Sequence, residues 1–275
     1  MQKVWSVLLV LGLSVAQAPQ GAVLLRLNEA QQAVVVGAFQ GGRWIEAEQL
    51  TRLEARRYQV FGPAGRINQA QGAGGLQTPE ICDWNRETSL TLLERRAVLY
   101  PAYAISAPWN PQPRAVTVLS PTPAHRQAVA AELARRKIGG GPNITQALRV
   151  DLDADGRDEV ILSANKPGFS VNDGRIEGSY ASEVGDYGLL MVRKLLNDTD
   201  LRTFVLDVTH LDKLFDGTEG MPTMITRRVG AILDLDGDGR MEIITEDWVH
   251  EGWGSTVWRW SGRQFVKVLE WGCGV

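Results

Sequence analysis

Cysteine is scarce in this chain. Only Cys82 and Cys273 occur among 275 residues, with no Cys-x-x-Cys pair and no neighbouring His, so neither thiol has a zinc or catalytic setting. Two readings stay open: a disulfide formed in an oxidising compartment, or two free thiols. Histidine is almost as rare. His125, His210 and His250 share no metal spacing, and there is no H-E-x-x-H. A G-x-S-x-G elbow, a Walker loop and a dinucleotide-binding glycine motif after a strand are all missing too. No run of Lys or Arg breaks a mild net charge of −3, which argues against a nucleic-acid partner. Past the first residues, no stretch is long and apolar enough to span a membrane.

What the chain does have is acid in a pattern. One segment reads Asp151-Leu-Asp153-Ala-Asp155-Gly156-Arg157-Asp158-Glu159; another reads Asp234-Leu-Asp236-Gly-Asp238-Gly239-Arg240-Met241-Glu242. Each is D-x-D-x-D-G-x-x-E, and each runs directly into an apolar, β-branched stretch. Carboxylates at positions 1, 3, 5 and 9 of a tight loop form an oxygen cage for a hard cation. Gly156 and Gly239 can make the sharp turn at position 6 without a Cβ clash. Position 7 offers a carbonyl, from Arg157 or Arg240, and Glu159 or Glu242 closes the cage. Asp158 is expected to face away. An EF-hand is excluded, because position 12 is Leu162 or Thr245 and a strand, not a helix, follows. The bland alternative is a pair of acidic surface turns. Two copies, each entering a strand, favour calcium over that reading, and calcium over magnesium.

The N-terminus reads as a secretory signal over residues 1–16: Lys3, an apolar stretch over 4–15, and small residues Ser14 and Ala16 for cleavage. Localisation is then secreted, periplasmic or cell-envelope, where calcium is plentiful, with no membrane span after signal removal.

Residues 19–118 are expected to be β-rich. Ala33-Val-Val-Val36, the Gly41-Gly42 turn and Arg43-Trp-Ile45 suggest a hairpin. Arg57-Tyr-Gln-Val-Phe61 alternates and is stopped by Gly62-Pro63; residues 62–80, rich in Gly, Ala and Gln, read as a loop. The Pro-dense stretch 101–113 reads as extended. Residues 119–141 carry one helix and a linker. Thr122 can cap it, Pro123 suits its first position, and Val129 and Leu133 share a face over 123–137. The Gly139-Gly-Gly-Pro142 break marks the boundary.

Residues 142–275 form a tandem repeat, 145–208 and 227–271. Each unit is strand, acidic loop, strand, then hairpin, giving four antiparallel strands. The fold class is therefore mainly β, with antiparallel four-stranded blade-like units, propeller-like or sandwiched, and one helix.

DLDADGRDEVIL and DLDGDGRMEIIT resemble the calcium loops of FG-GAP/VCBS-type repeats, found in integrin-like β-propellers and many exported bacterial proteins; the tail WRWSGRQFVKVL is similar to the outer hairpin of such a blade. The resemblance covers about residues 145–271. It implies one calcium ion per loop, two in all, holding each blade's inner strands together. A closed ring needs more blades than the two visible units. Either residues 19–118 hold degenerate blades, or the two units pack as a sandwich.

Two function classes follow. The first is an exported calcium-binding protein with a structural or recognition role toward an extracellular protein or glycan, and no chemistry of its own. The second is a secreted hydrolase of glycans or phosphate esters, using carboxylates near 246–251 (Glu246, Asp247, Glu251) beside Trp248 and Trp253. The bland reading of that cluster has Glu246 and His250 facing solvent and the two Trp packing the sheet. Trp248, Trp253, Trp258, Trp260 and Trp271 could likewise line a ligand platform or pack a core. Asn143-Ile-Thr145 is a formal glycosylation sequon.

Overall fold

A computed structural model describes residues 21–28, 32–166, 169–172, 175–178, 183–213, 225–249 and 252–274. The expected signal segment 1–16 lies outside these, as do His250 and Glu251.

The first seven strands are β1 (Ala22–Leu27), β2 (Gln32–Gln40), β3 (Arg43–Glu46), β4 (Arg57–Gly62), β5 (Gly65–Gly72), β6 (Glu87–Leu92) and β7 (Ala102–Ser106). Their order is β1-β7-β4-β5-β6-β2, and β1 also pairs with β2. Six antiparallel strands thus close into a barrel, with β3 hung on β2 as the expected hairpin. Closure removes the free edges. Both faces of β1 are buried: Val23, Leu25 and Leu27 fill the barrel, while Ala22 and Leu24 press outward on the repeats. AVLLRL therefore shows no alternation of apolar and polar residues.

Residues 65–72 correct the expected loop over 62–80. They form β5, paired with β4 and β6. Asn68, Ala70 and Gly72 are its buried positions. Gly72 is small because Tyr58 occupies that part of the barrel: a Cβ there would stand 2.7 Å from the Tyr58 ring. A narrow barrel wall next to a bulky residue thus has the composition of a loop.

β8 (Thr117–Val118), α1 (Pro123–Arg135), β9 (Ile144–Val150) and β10 (Glu159–Lys166) follow. Then come a small hairpin, β11 (Phe169–Asn172) and β12 (Arg175–Gly178), and the strands β13 (Tyr187–Asn197) and β14 (Asp200–His210). Sheet one has the order β14-β13-β10-β9-β8. Sheet two is a four-stranded meander of β15 (Thr226–Leu233), β16 (Glu242–Val249), β17 (Gly252–Trp260) and β18 (Phe265–Gly274). Both sheets are antiparallel, as expected; sheet two has the expected four strands, while sheet one gains a fifth, β8, paired with β9. α1 is the one α-helix among the described residues. Thr122 Oγ1 accepts from the His125 N–H, and His125 Nδ1 accepts from the Thr122 N–H, a reciprocal cap.

The layers stack in sequence. Val129 and Leu133 of α1 pack on Leu162, Ala164, Leu189 and Met191 of sheet one. The opposite face of sheet one, with Leu148, Ile161 and Leu190, packs on Ile232, Ile243 and Trp258 of sheet two. The far face of sheet two, with Ala231, Ile244, Val257 and Trp271, packs on the barrel through Leu24, Val36, Phe61 and Tyr103. The two units thus lie face to face, and the first hundred residues supply a barrel instead of further blades. Cys82 and Cys273 are bridged, tying the barrel to the end of β18. The free-thiol alternative is therefore excluded.

Candidate metal centres

Each acidic loop is held by its own backbone. At position 1, Asp151 Oδ2 accepts from the Gly156 N–H at 3.1 Å, and Asp234 Oδ2 accepts from the Gly239 N–H at 3.1 Å. At position 5, Asp155 and Asp238 accept from the N–H of Arg157 and Arg240, both at 2.8 Å. At position 9, Glu159 and Glu242 fold back to accept from the N–H of Leu152 and Leu235, again both at 2.8 Å. Gly156 and Gly239 take φ of 81° and 83°, the left-handed turn their position requires.

This shared template brings three carboxylates together in each loop. Oxygens of Asp151, Asp153 and Glu159 lie within 4.8 Å of one another, as do those of Asp234, Asp236 and Glu242. Asp155 and Asp238 stand beside these triads. The Arg157 side chain turns away to Asp198 at 2.7 Å, and Arg240 is exposed. Asp158 pairs with Arg149 outside the loop, as expected.

The loops also touch each other. The Met241 N–H donates to the Leu152 carbonyl at 2.8 Å. The segment 107–116 between barrel and sheet one straps across both. Trp109 Nε1 donates to the Asp234 carbonyl at 2.9 Å, the Asp234 N–H donates to the Pro111 carbonyl at 2.7 Å, and the Arg114 guanidinium donates to the carbonyls of Asp151 and Leu152.

Sequence reasoning missed two residues. Lys194 on β13 places its ammonium 2.6 Å from Glu159 Oε1, 2.8 Å from Asp153 and 3.4 Å from Asp155. Arg259 on β17 reaches Asp238 at 2.8 Å, Asp236 at 3.0 Å and Glu242 at 3.7 Å. The registers, Val160 opposite Arg193 and Ile243 opposite Trp258, put each basic residue across from the closing glutamate. The signal was in the sequence as a basic residue on the third strand of each unit. The insertion between β10 and β13 hides it, because Lys194 follows its glutamate at a much larger offset than Arg259 does.

Burial and crowding govern the charges. Burial pushes Glu242 well above the ordinary carboxylate range, and neighbouring Asp236 adds to the effect. Burial likewise raises Asp234 and Asp236. Glu159 is raised by burial, against the pull of Lys194. Burial disfavours the Lys194 ammonium, but its bonds to Asp153 and Glu159 prevail and raise it. In Asp238 burial is outweighed by the Arg240 N–H and by Arg259, and its value falls. Four carboxylates face one basic side chain in each loop, an excess of acid over base. Glu242 Oε1 and Asp151 Oδ1 are buried and accept no hydrogen bond. An all-oxygen donor set with orphaned inward oxygens fits a hard divalent cation.

No protein-family model, curated protein or solved structure matches the chain.

The carboxylates of the 246–251 cluster that the structure describes are engaged elsewhere. Glu246 is fully buried and takes a bidentate ion pair from Arg26 of the barrel, at 3.1 and 2.9 Å. This corrects the solvent-facing expectation: the outer face of sheet two is covered by the barrel. Asp247 points to the other side of β16, where Arg227 lies at 3.4 Å; burial raises its pKa to about 6. Trp248, Trp258, Trp260 and Trp271 are buried. Trp253 is 40 % exposed, and Trp84, which the sequence did not single out, is 50 % exposed. Both stand at the disulfide: Trp253 is the cross-strand partner of Cys273, and Trp84 Nε1 donates to the Gly272 carbonyl at 3.1 Å. Beside Trp253 opens a cleft of ≈ 440 Å³, lined also by Gly254, Thr256, Asp247, Glu270 and Gly272.

Proposed function

We propose that this is an exported, calcium-stabilised β-repeat protein of the FG-GAP/VCBS type, with a recognition role and no chemistry of its own. The observation that carries the reading is the duplicated template. Both loops use the same three side-chain-to-backbone bonds to converge three carboxylates. Calcium held by Asp, Glu and the carbonyls of Arg157 and Arg240 would offset the excess negative charge and lock the strands at each loop. The disulfide supports export, since such bridges persist in oxidising compartments. No helix among the described residues is long and apolar enough to cross a membrane.

The recognition face is the Trp84–Trp253 edge with its cleft. Aromatic faces stack on sugar rings, and the exposed Glu270 carboxylate offers acceptors for hydroxyls, so the ligand class is a glycan. A hydrolase reading gains nothing from Glu246 and Asp247, which lie on opposite faces of one strand and are each ion-paired. Chelation of the purified protein is expected to lower Tm, and calcium to restore it. A hundredfold excess of ion over its Kd stabilises by about 2.7 kcal/mol. A melt unmoved by chelator overturns the calcium reading. Glycan-array binding that is lost in Trp84→Ala and Trp253→Ala supports the recognition face; binding unchanged in both removes it.

A further inference from the structure

The two loops share a template, but their basic neighbours stand differently. Lys194 is 4 % exposed, and its ammonium sits among the carboxylates of positions 3, 5 and 9, two of which belong to the convergent triad. The Trp260 ring, 5.7 Å from the same ammonium, flanks it. Both oxygens of Glu159 are used, one by Lys194 and one by the Leu152 N–H. Loop one therefore already contains a cation, a monovalent one carried on the chain.

Arg259 holds the equivalent place in loop two but stays at the rim. It is 33 % exposed and bonds Asp236 and Asp238, while its nearest nitrogen to Glu242 is 3.7 Å away, against 2.6 Å from Lys194 to Glu159. Glu242 is fully buried, belongs to the convergent triad, and keeps Oε1 without a hydrogen-bond donor. Loop two has an unmatched inward oxygen on its closing glutamate where loop one has none. In loop one the unmatched oxygen is on Asp151, a half-buried residue at the first position.

We propose that the loops are unequal: a divalent cation occupies loop two, while Lys194 takes the ion's place in loop one. This rests on the cation-binding reading above and assigns its stoichiometry. For calcium to enter loop one, a buried ammonium must leave three carboxylates. An uncompensated buried charge is costly enough to make loop one at least about a hundredfold weaker. Arg259 has only to turn outward into water, as a half-open guanidinium on a long stem can. Unit one is then set in place regardless of ambient calcium, and unit two, which carries the barrel on its other face, responds to it.

The test is calorimetric titration of the chelator-treated full chain with calcium chloride, with ion counts by native mass spectrometry. It compares wild type, Glu242→Gln, Glu159→Gln and Lys194→Ala. One tight ion is expected in wild type, lost in Glu242→Gln and retained in Glu159→Gln. Lys194→Ala is expected to gain a second ion within about tenfold of the first. Two ions of equal affinity in wild type overturn the inequality but leave cation binding standing. So does a tight ion lost in Glu159→Gln and kept in Glu242→Gln. Absence of any bound ion removes both. If Lys194→Ala fails to fold, wild type and the two Gln variants still decide.

Discussion

Glu242 is buried without a donor for one oxygen and held well above the ordinary carboxylate range by burial. In the metal-free fold it keeps its proton to a higher pH than it would in the unfolded chain. Its contribution to stability is therefore present at low pH and lost as pH rises through the raised folded value. Calcium reverses the sign, because it binds the deprotonated group. As pH falls through that raised value, the Tm increment from calcium is expected to shrink. Glu242→Gln should flatten that dependence in melts with and without chelator. A pH slope unchanged by the substitution would show that another group is responsible. The eight acidic residues were legible in the sequence because alternate carboxylates around a Gly turn have few other uses. Lys194 and Arg259 were not. Their role depends on register between paired strands, and the insertion between β10 and β13 in the first unit removes the common spacing that would have betrayed it.

At the level of elements, strand β15 poses a problem that the fold solves with amides. It is an edge of sheet two, buried against sheet one, so its outward backbone groups need partners. Gln146 accepts from the Val229 N–H at 2.7 Å and donates to the Val229 carbonyl at 3.0 Å. Asn165 does the same for Arg227, at 2.7 Å in both directions. Two side chains thus imitate a neighbouring strand and fix the two units in register. Gln146→Leu and Asn165→Leu are each expected to cost about 1–3 kcal/mol, because buried backbone groups are left unpaired. Urea melts measure this, and a loss under about 0.5 kcal/mol would mean that water replaces the amide. The strands of both units and α1 were readable from apolar runs and capping residues. β5 was not, because its inward Gly72 is sized by Tyr58, a residue on another strand.

The whole molecule is a stack of helix, sheet one, sheet two and barrel, with the bridge Cys82–Cys273 joining its last two layers, barrel and sheet two, across a separation of 191 residues. Cross-linking so distant a pair restricts the unfolded chain strongly, so Cys82→Ser with Cys273→Ser is expected to lose about 2–5 kcal/mol. Equilibrium denaturation checks the figure, and wild-type stability in the double variant would place the strength of the barrel joint in the Arg26–Glu246 pair and its apolar surround. The sequence by itself determined the acidic loops, the strand–loop–strand–hairpin order of both units and the capped helix. Each is written in residues close together along the chain, where hydrogen-bond and side-chain periods are fixed by local geometry. Only the tertiary structure decided that the first hundred residues close into a barrel and that Glu246 is sealed beneath it. It also decided that a buried lysine sits among the carboxylates of one loop while a partly exposed arginine reaches those of the other. Those outcomes depend on which distant surfaces meet, and burial, not spacing, selects the partners.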